Sequence, residues 1–126
     1  MTNPYQKYQQ QSVATMTQGE LLVKLYETCS KRMNAGVYYI DEIKDYNKAN
    51  ENLQKAQKIL NHLNATLDRN YEISQNLSAL YDFFIRVVVE ANVKKKTETL
   101  KEIIPMIDDL GASFKEAEKI VHRQNA

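Results

Sequence analysis

The stretch Ala79–Ala91, ALYDFFIRVVVEA, carries more apolar surface than a helix needs to contact one core. On a helical wheel, a core stripe surrounds Phe84 and is formed by Leu77, Leu80, Val87, Val88 and Ala91. Apolar positions continue on both sides of this stripe, as Tyr81, Ile85 and Val89 and, at the other edge, Phe83. Together they occupy roughly two-thirds of the circumference, whereas a core-facing stripe needs ~100°. Neighbouring helices, the chain's own ends or a partner must therefore cover the surplus.

Length and composition predict one all-helical domain. The chain has 126 residues, of which 43% are hydrophobic and 26% charged, as in ordinary globular proteins. A net charge of +1 gives no reason to expect nucleic acid as a partner. One cysteine cannot form an internal disulfide, and no secretory signal or apolar stretch of about 18 residues occurs. We expect a cytoplasmic protein without direct membrane insertion.

Apolar residues spaced alternately by three and four predict helices N-terminal to this stretch. The first helix should span about 18–43 and begin at a capping box formed by Thr17 and Glu20. Gly36 in its middle costs ~1 kcal/mol relative to alanine, so it indicates a close packing point. A second helix should span about 48–67 with Asn47 as its N-cap.

The stretch itself belongs to a third helix, about 71–92, whose predicted core positions begin at Ile73. A fourth helix follows Thr97, with core positions continuing through Ala117 to Val121. Pro105 lies inside it and predicts a kink or a break. Short connections make successive helices antiparallel, so residues 16–126 should form an up-and-down four-helix bundle.

Residues 1–15 precede the bundle and show no helical periodicity. They read as a mobile tail, rich in glutamine, whose apolar groups Tyr5, Tyr8 and Val13 are able to cover an apolar surface. Two rings and a valine contribute only a few kcal/mol by area, less than the cost of ordering about ten residues. We therefore expect a displaceable cap.

The sequence contains no convincing catalytic, cofactor or metal site. The spacing Glu-x-x-His, typical of dimetal bundles, does not occur. Cys29 occupies a core position. His62 falls opposite the core positions of the second helix and should be exposed, as in a phosphotransfer bundle, but Ala65 and Thr66 stand where such sites have lysine and glycine.

Several short motifs follow one another in a specific order. They are Asn3-Pro4-Tyr5-Gln6, Thr17-Gln18-Gly19-Glu20-Leu21, Leu25-Tyr26-Glu27, Lys48-Ala49-Asn50-Glu51, Lys55-Ala56-Gln57-Lys58-Ile59, Leu80-Tyr81-Asp82 and Glu90-Ala91-Asn92. Because these motifs occur in this order and at these spacings, the chain resembles the FliS family of flagellin export chaperones over essentially its whole length. Departures are Gln18 in place of proline, Phe114 in place of tryptophan, and Gly111 in place of arginine.

The resemblance implies an antiparallel helical bundle that is not an enzyme. It implies binding of the disordered C-terminal segment of flagellin, prevention of its premature polymerisation, and delivery to the flagellar type III export gate. Further flagellar regulatory proteins are expected partners. The binding segment forms an amphipathic helix, which suits recognition in an apolar groove.

We predict that this groove lies beside the third helix, along Tyr81, Ile85 and Val89, with Phe83 at its far edge. The alternative is that the third helix is simply packed on two sides. Two other functions stay open from the residues alone: a phosphotransfer relay through His62, and a structural bundle whose surplus apolar face forms a homodimer.

Overall fold

A computed structural model describes residues 16–125 and shows four α-helices joined by short connections. They are α1 (Gln18–Tyr38), α2 (Tyr46–Ala65), α3 (Ile73–Lys94) and α4 (Glu98–Asn125). α1 packs between α2 and α4, and α2 packs against α3 on its other side. This arrangement confirms the predicted antiparallel four-helix bundle. None of the helices in the described part of the chain is both long and apolar enough to cross a bilayer.

The first helix begins as predicted but ends differently. The Thr17 hydroxyl accepts a hydrogen bond from the Glu20 amide at 3.1 Å and caps α1. After Tyr38 the chain widens into a π-turn, Tyr39–Ile43, which is closed by the Asp45 amide donating to the Tyr39 carbonyl. The Asp45 carboxylate then accepts a hydrogen bond from the Lys48 amide at 3.1 Å, so Asp45, not Asn47, is the N-cap of α2.

The core lies between the inner faces of all four helices. α1, α2 and the π-turn between them contribute Tyr26, Cys29, Met33, Ile40, Ala49, Leu53, Ala56, Leu60 and Leu63. α3 and α4 contribute Leu77, Tyr81, Phe84, Val87, Val88, Ala91, Leu100, Ile103, Ile104 and Ile107. Gly36 is a close packing point, as predicted, because a Cβ there would lie 2.5 Å from Cδ2 of Leu53.

The start of α3 corrects one predicted core position. Ile73 is 62% exposed, because α3 begins at this residue and its side chain lies outside the bundle. The neighbouring Ser74 is buried instead, and its hydroxyl donates to the Asp68 carbonyl at 2.5 Å. A polar contact to the α2–α3 connection thus replaces the expected apolar one.

α4 continues through Pro105, so a break at this residue is wrong. Pro105 itself is exposed, while Ile104 and Ile107 on either side of it are buried and hold the helix against the core. The buried positions of α4 end at Gly111, and Ala117 and Val121 are exposed rather than in the core. The C-terminal part of α4 therefore leaves apolar surface uncovered by the described residues.

Candidate functional site

Three apolar side chains follow one another at intervals of four along α3 and define what we call the α3 strip. Ile85 is half-buried against the core, Val89 is 38% exposed and Val93 is 78% exposed. Residues four apart lie on neighbouring turns of one helix face, so these side chains form a continuous ridge. The ridge becomes more exposed toward the C-terminal end of α3.

The α3 strip lies beside the interface with α2. On α3, Asp82 accepts a hydrogen bond from Nδ2 of Asn64 at 3.0 Å. Ten residues further on, Nδ2 of Asn92 donates to Oδ1 of Asn50 at 2.8 Å. Steps of three and four place Ile85 and Val89 between these two polar contacts. An apolar section flanked by amides thus runs along the α2–α3 interface.

Tyr81 is not part of this surface, so its predicted exposure in a groove is wrong. Its side chain is 1% exposed, and its hydroxyl forms a buried hydrogen bond with the hydroxyl of Tyr26 on α1. Burial raises the pKa of both phenols, and for Tyr26 the hydrogen bond adds to the rise. The tyrosine satisfies its polar end inside the bundle, so its ring belongs to the core.

Phe83 lies at the opposite edge of α3, as predicted. Its side chain is 39% exposed, and its ring centroid lies 5.9 Å from that of Phe84 in the core. The ring is therefore anchored on one side and open to solvent on the other. Phe83 and the α3 strip are separated by the exposed polar residues Asp82, Arg86 and Glu90.

A second apolar surface, which the sequence did not reveal, opens where α1 begins and α2 ends. This end groove has a volume of about 430 Å³ and is lined by Gln18, Gly19, Leu21, Leu22, Leu25, His62, Leu63 and Thr66. Leucines at 21, 22 and 25 cover more of α1 than its core contact requires. The apolar arc of α1 is therefore wider than a core stripe, as the apolar arc of α3 is.

Three of the predicted binding residues, Tyr5, Tyr8 and Val13, lie outside the described residues.

His62 is exposed, as predicted, and lines the end groove. Cys29 is fully buried, as predicted, and burial raises its pKa to about 12, which makes its thiolate inaccessible near neutrality. Within residues 16–125 no three metal-binding side chains cluster together.

Comparison with known proteins decides the family. The family model described as "Flagellar protein FliS" matches residues 1–121. The chain belongs to the FliS family. It is 43% identical over 115 residues to the flagellar secretion chaperone FliS of Bacillus subtilis (strain 168), covering 91% of this chain and 86% of that protein. It is 35% identical over 69 residues to the flagellar secretion chaperone FliS of Salmonella typhimurium, covering 52% of this chain and 51% of that protein.

Membership in the FliS family confirms the resemblance seen in the sequence motifs. The family consists of flagellar secretion chaperones, so exposed apolar surface on this bundle is best understood as surface for protein partners. His62 gains no support as a phosphotransfer residue from this membership. The α3 strip, Phe83 and the end groove are the candidate surfaces.

Proposed function

We propose that this FliS-family chain is a cytoplasmic export chaperone for flagellin. It binds the disordered C-terminal segment of newly made flagellin, keeps that segment from polymerising and presents the complex to the flagellar type III export gate. The observation that supports the proposal most is the α3 strip, an exposed apolar ridge on a bundle whose family consists of secretion chaperones.

The α3 strip suits an amphipathic helix laid along the α2–α3 interface. Anchors at intervals of four on such a helix pack against ridges with the same spacing. Fully covering a valine or isoleucine side chain contributes ~1.5–3 kcal/mol. Ordering a disordered partner offsets much of that gain, so binding depends on several anchors acting together. Phe83 extends the surface at the other edge of α3.

The tail residues Tyr5, Tyr8 and Val13 keep the proposed role of a displaceable cover. They belong to the same family match, which begins at residue 1. A longer flagellin helix with more apolar anchors would displace such a cover. The order of events is then release of the tail followed by docking of flagellin.

Charge placed on the α3 strip tests the proposed site. We expect Val89→Glu combined with Val93→Glu to weaken binding of a peptide with the flagellin C-terminal sequence by at least about tenfold in isothermal titration calorimetry, because a carboxylate in an apolar contact is poorly solvated. Both residues are exposed, so circular dichroism should show unchanged helix content.

Met106→Glu is the control for a single added charge and is compared with Val89→Glu alone. Met106 is 47% exposed on α4, so this substitution introduces one carboxylate away from the α3 strip. Unchanged binding by the α3 double variant, or equal loss in the Met106 control, would contradict the proposed site.

A further inference from the structure

A stripe of side-chain amides runs along α2. Its members recur at alternating steps of four and three residues, the spacing of one helix face, and are Asn50, Gln54, Gln57, Asn61 and Asn64. We call this set the amide stripe. It is about 21 Å long, which is almost four turns of helix. Every member is polar and uncharged, so each is able both to donate and to accept a hydrogen bond.

Hydrogen bonds at both ends of the amide stripe turn it toward α3. At one end, Oδ1 of Asn50 accepts from Nδ2 of Asn92 at 2.8 Å. At the other end, Nδ2 of Asn64 donates to Asp82 at 3.0 Å, and Oδ1 of Asn64 accepts from the Ser78 hydroxyl at 2.8 Å. The amide stripe and the α3 strip therefore border the same surface, which we call the neutral face.

The middle of the amide stripe is available to a partner. Gln54, Gln57 and Asn61 form no side-chain hydrogen bond with other residues in the part of the chain that the structure describes. Gln57 is half-buried and lies two turns from each end of the stripe, so it stands beside the section of α3 that carries Ile85 and Val89. Free amides thus accompany the apolar ridge along its length.

The charged side chains that border the neutral face balance one another. They are Glu51 and Lys58 on α2 and Asp82, Arg86, Glu90 and Lys94 on α3. Glu90 and Lys94 form an ion pair at 2.7 Å. Lys95 and Lys96 follow the end of α3, and the Lys95 ammonium donates to Oδ1 of Asn92. Between its two ends the neutral face therefore offers no excess charge to an incoming helix.

We propose that the neutral face holds an amphipathic helix whose polar edge is uncharged, formed by asparagine, glutamine, serine or threonine. The apolar anchors of that helix cover the α3 strip, and its edge exchanges hydrogen bonds with Gln54, Gln57 and Asn61. A charged edge is disfavoured, because contact with the ridge removes water from the charge and no opposite charge replaces it. The inference rests on the proposed function for the identity of the helix, the C-terminal segment of flagellin, and adds the chemistry that selects it.

Three designed helical peptides of about 14 residues are the direct probe. They share leucines at intervals of three and four on one face and differ along one edge, which carries glutamine, glutamate or lysine. Fluorescence anisotropy with the full chain should show that the glutamine peptide binds about tenfold more tightly than either charged peptide. Raising the salt concentration about tenfold should change the affinity of the glutamine peptide by less than about twofold.

Charge placed on the amide stripe is the complementary test. Gln54→Glu combined with Gln57→Glu, and Gln54→Lys combined with Gln57→Lys, should each weaken binding of the glutamine peptide and of the flagellin C-terminal peptide about tenfold. Lys55→Glu is the matched control, because losing one positive and gaining one negative charge equals adding two negative charges. Lys55 lies three residues after Asn52, on the side of α2 that Arg32 of α1 contacts. Circular dichroism should show unchanged helix content in all variants.

Equal binding of the three peptides would overturn the inference. Stronger flagellin binding by one of the two charged variants would also overturn it, because the edge of flagellin would then carry the opposite charge. A dimer seen in light scattering that the stripe variants dissociate would do the same, because a second copy would then cover the face. Selective binding of the glutamine peptide without binding of the flagellin peptide would support the neutral face and contradict the proposed function.

Discussion

At the scale of single residues, the hydroxyl contact between Tyr26 and Tyr81 links α1 to α3 through the core. Both side chains are 1% exposed, so neither hydroxyl has access to bulk water as a substitute partner. Tyr26→Phe or Tyr81→Phe should each lower the free energy of unfolding by ~1–3 kcal/mol, because each leaves one buried hydroxyl without a partner.

The double variant should cost less than the sum of the two single variants, since it removes both hydroxyls at once. Urea denaturation of the four proteins measures this coupling. Strictly additive losses would show that the two hydroxyls do not interact.

The burial of Tyr81 could not be predicted from the sequence pattern. An apolar arc wider than a core stripe does not say which of its edges faces inward. Tyr81 and Val89 lie on the same side of the predicted core, yet Tyr81 is buried and Val89 is exposed. The difference comes from Tyr26, a hydrogen-bond partner 55 residues away that periodicity does not reveal.

At the scale of helices, Asp41 links the π-turn after α1 to the start of α4 through an ion pair and hydrogen bonds. Lys101 Nζ lies 2.8 Å from Oδ2 of Asp41, and the Thr97 hydroxyl lies 2.9 Å from both carboxylate oxygens. The hydrogen bond from Lys101, with a further one from Thr97, holds the pKa of Asp41 below its usual value of 3.8. Ionised Asp41 therefore stabilises the folded state.

Because the folded-state pKa is lowered, this stabilisation is complete above the usual pKa of aspartate and is lost as pH falls through the folded value. Asp41→Asn should lower the free energy of unfolding by ~0.2–1 kcal/mol at neutral pH. The difference from the unsubstituted protein should disappear in acid, as urea denaturation across pH would show. Glu42→Gln, at the exposed neighbour, is the control, and a difference that persists unchanged in acid would contradict this assignment.

The positions of the helices were predictable, because apolar residues recur many times at helical spacing in each of them. The exact ends of the helices were not predictable in the same way. Thr17 was found because a capping box is a local pattern. Asp45 was missed because the π-turn after α1 is closed by the Asp45 amide donating to the Tyr39 carbonyl, a bond that apolar periodicity does not indicate. The contacts of Asp41 with Thr97 and Lys101, which lie 56 and 60 residues further along the chain, are likewise invisible in a local pattern.

At the scale of the whole molecule, the α3 strip and the end groove are apolar surfaces that the described residues leave uncovered. They lie on different helix interfaces, the α3 strip beside α2 and the end groove where α1 begins and α2 ends. The four-helix arrangement could be predicted from four periodic apolar patterns joined by short connections. Phe83, Ile85 and Val89 could be predicted as surface candidates from the width of the apolar arc on α3. The wide apolar arc of Leu21, Leu22 and Leu25 on α1 is visible in the sequence, but the position of the end groove is not, because it depends on where α1 begins relative to the end of α2.

The proposed function requires that the bundle bind flagellin through the C-terminal segment of flagellin. Its most direct test is size-exclusion chromatography of the chain mixed with full-length flagellin or with flagellin lacking its last ~40 residues, a length that corresponds to about 60 Å of helix. We predict that full-length flagellin co-elutes with the chain as an equimolar complex and that the shortened flagellin elutes separately. Equal co-elution of both flagellins would contradict the claim.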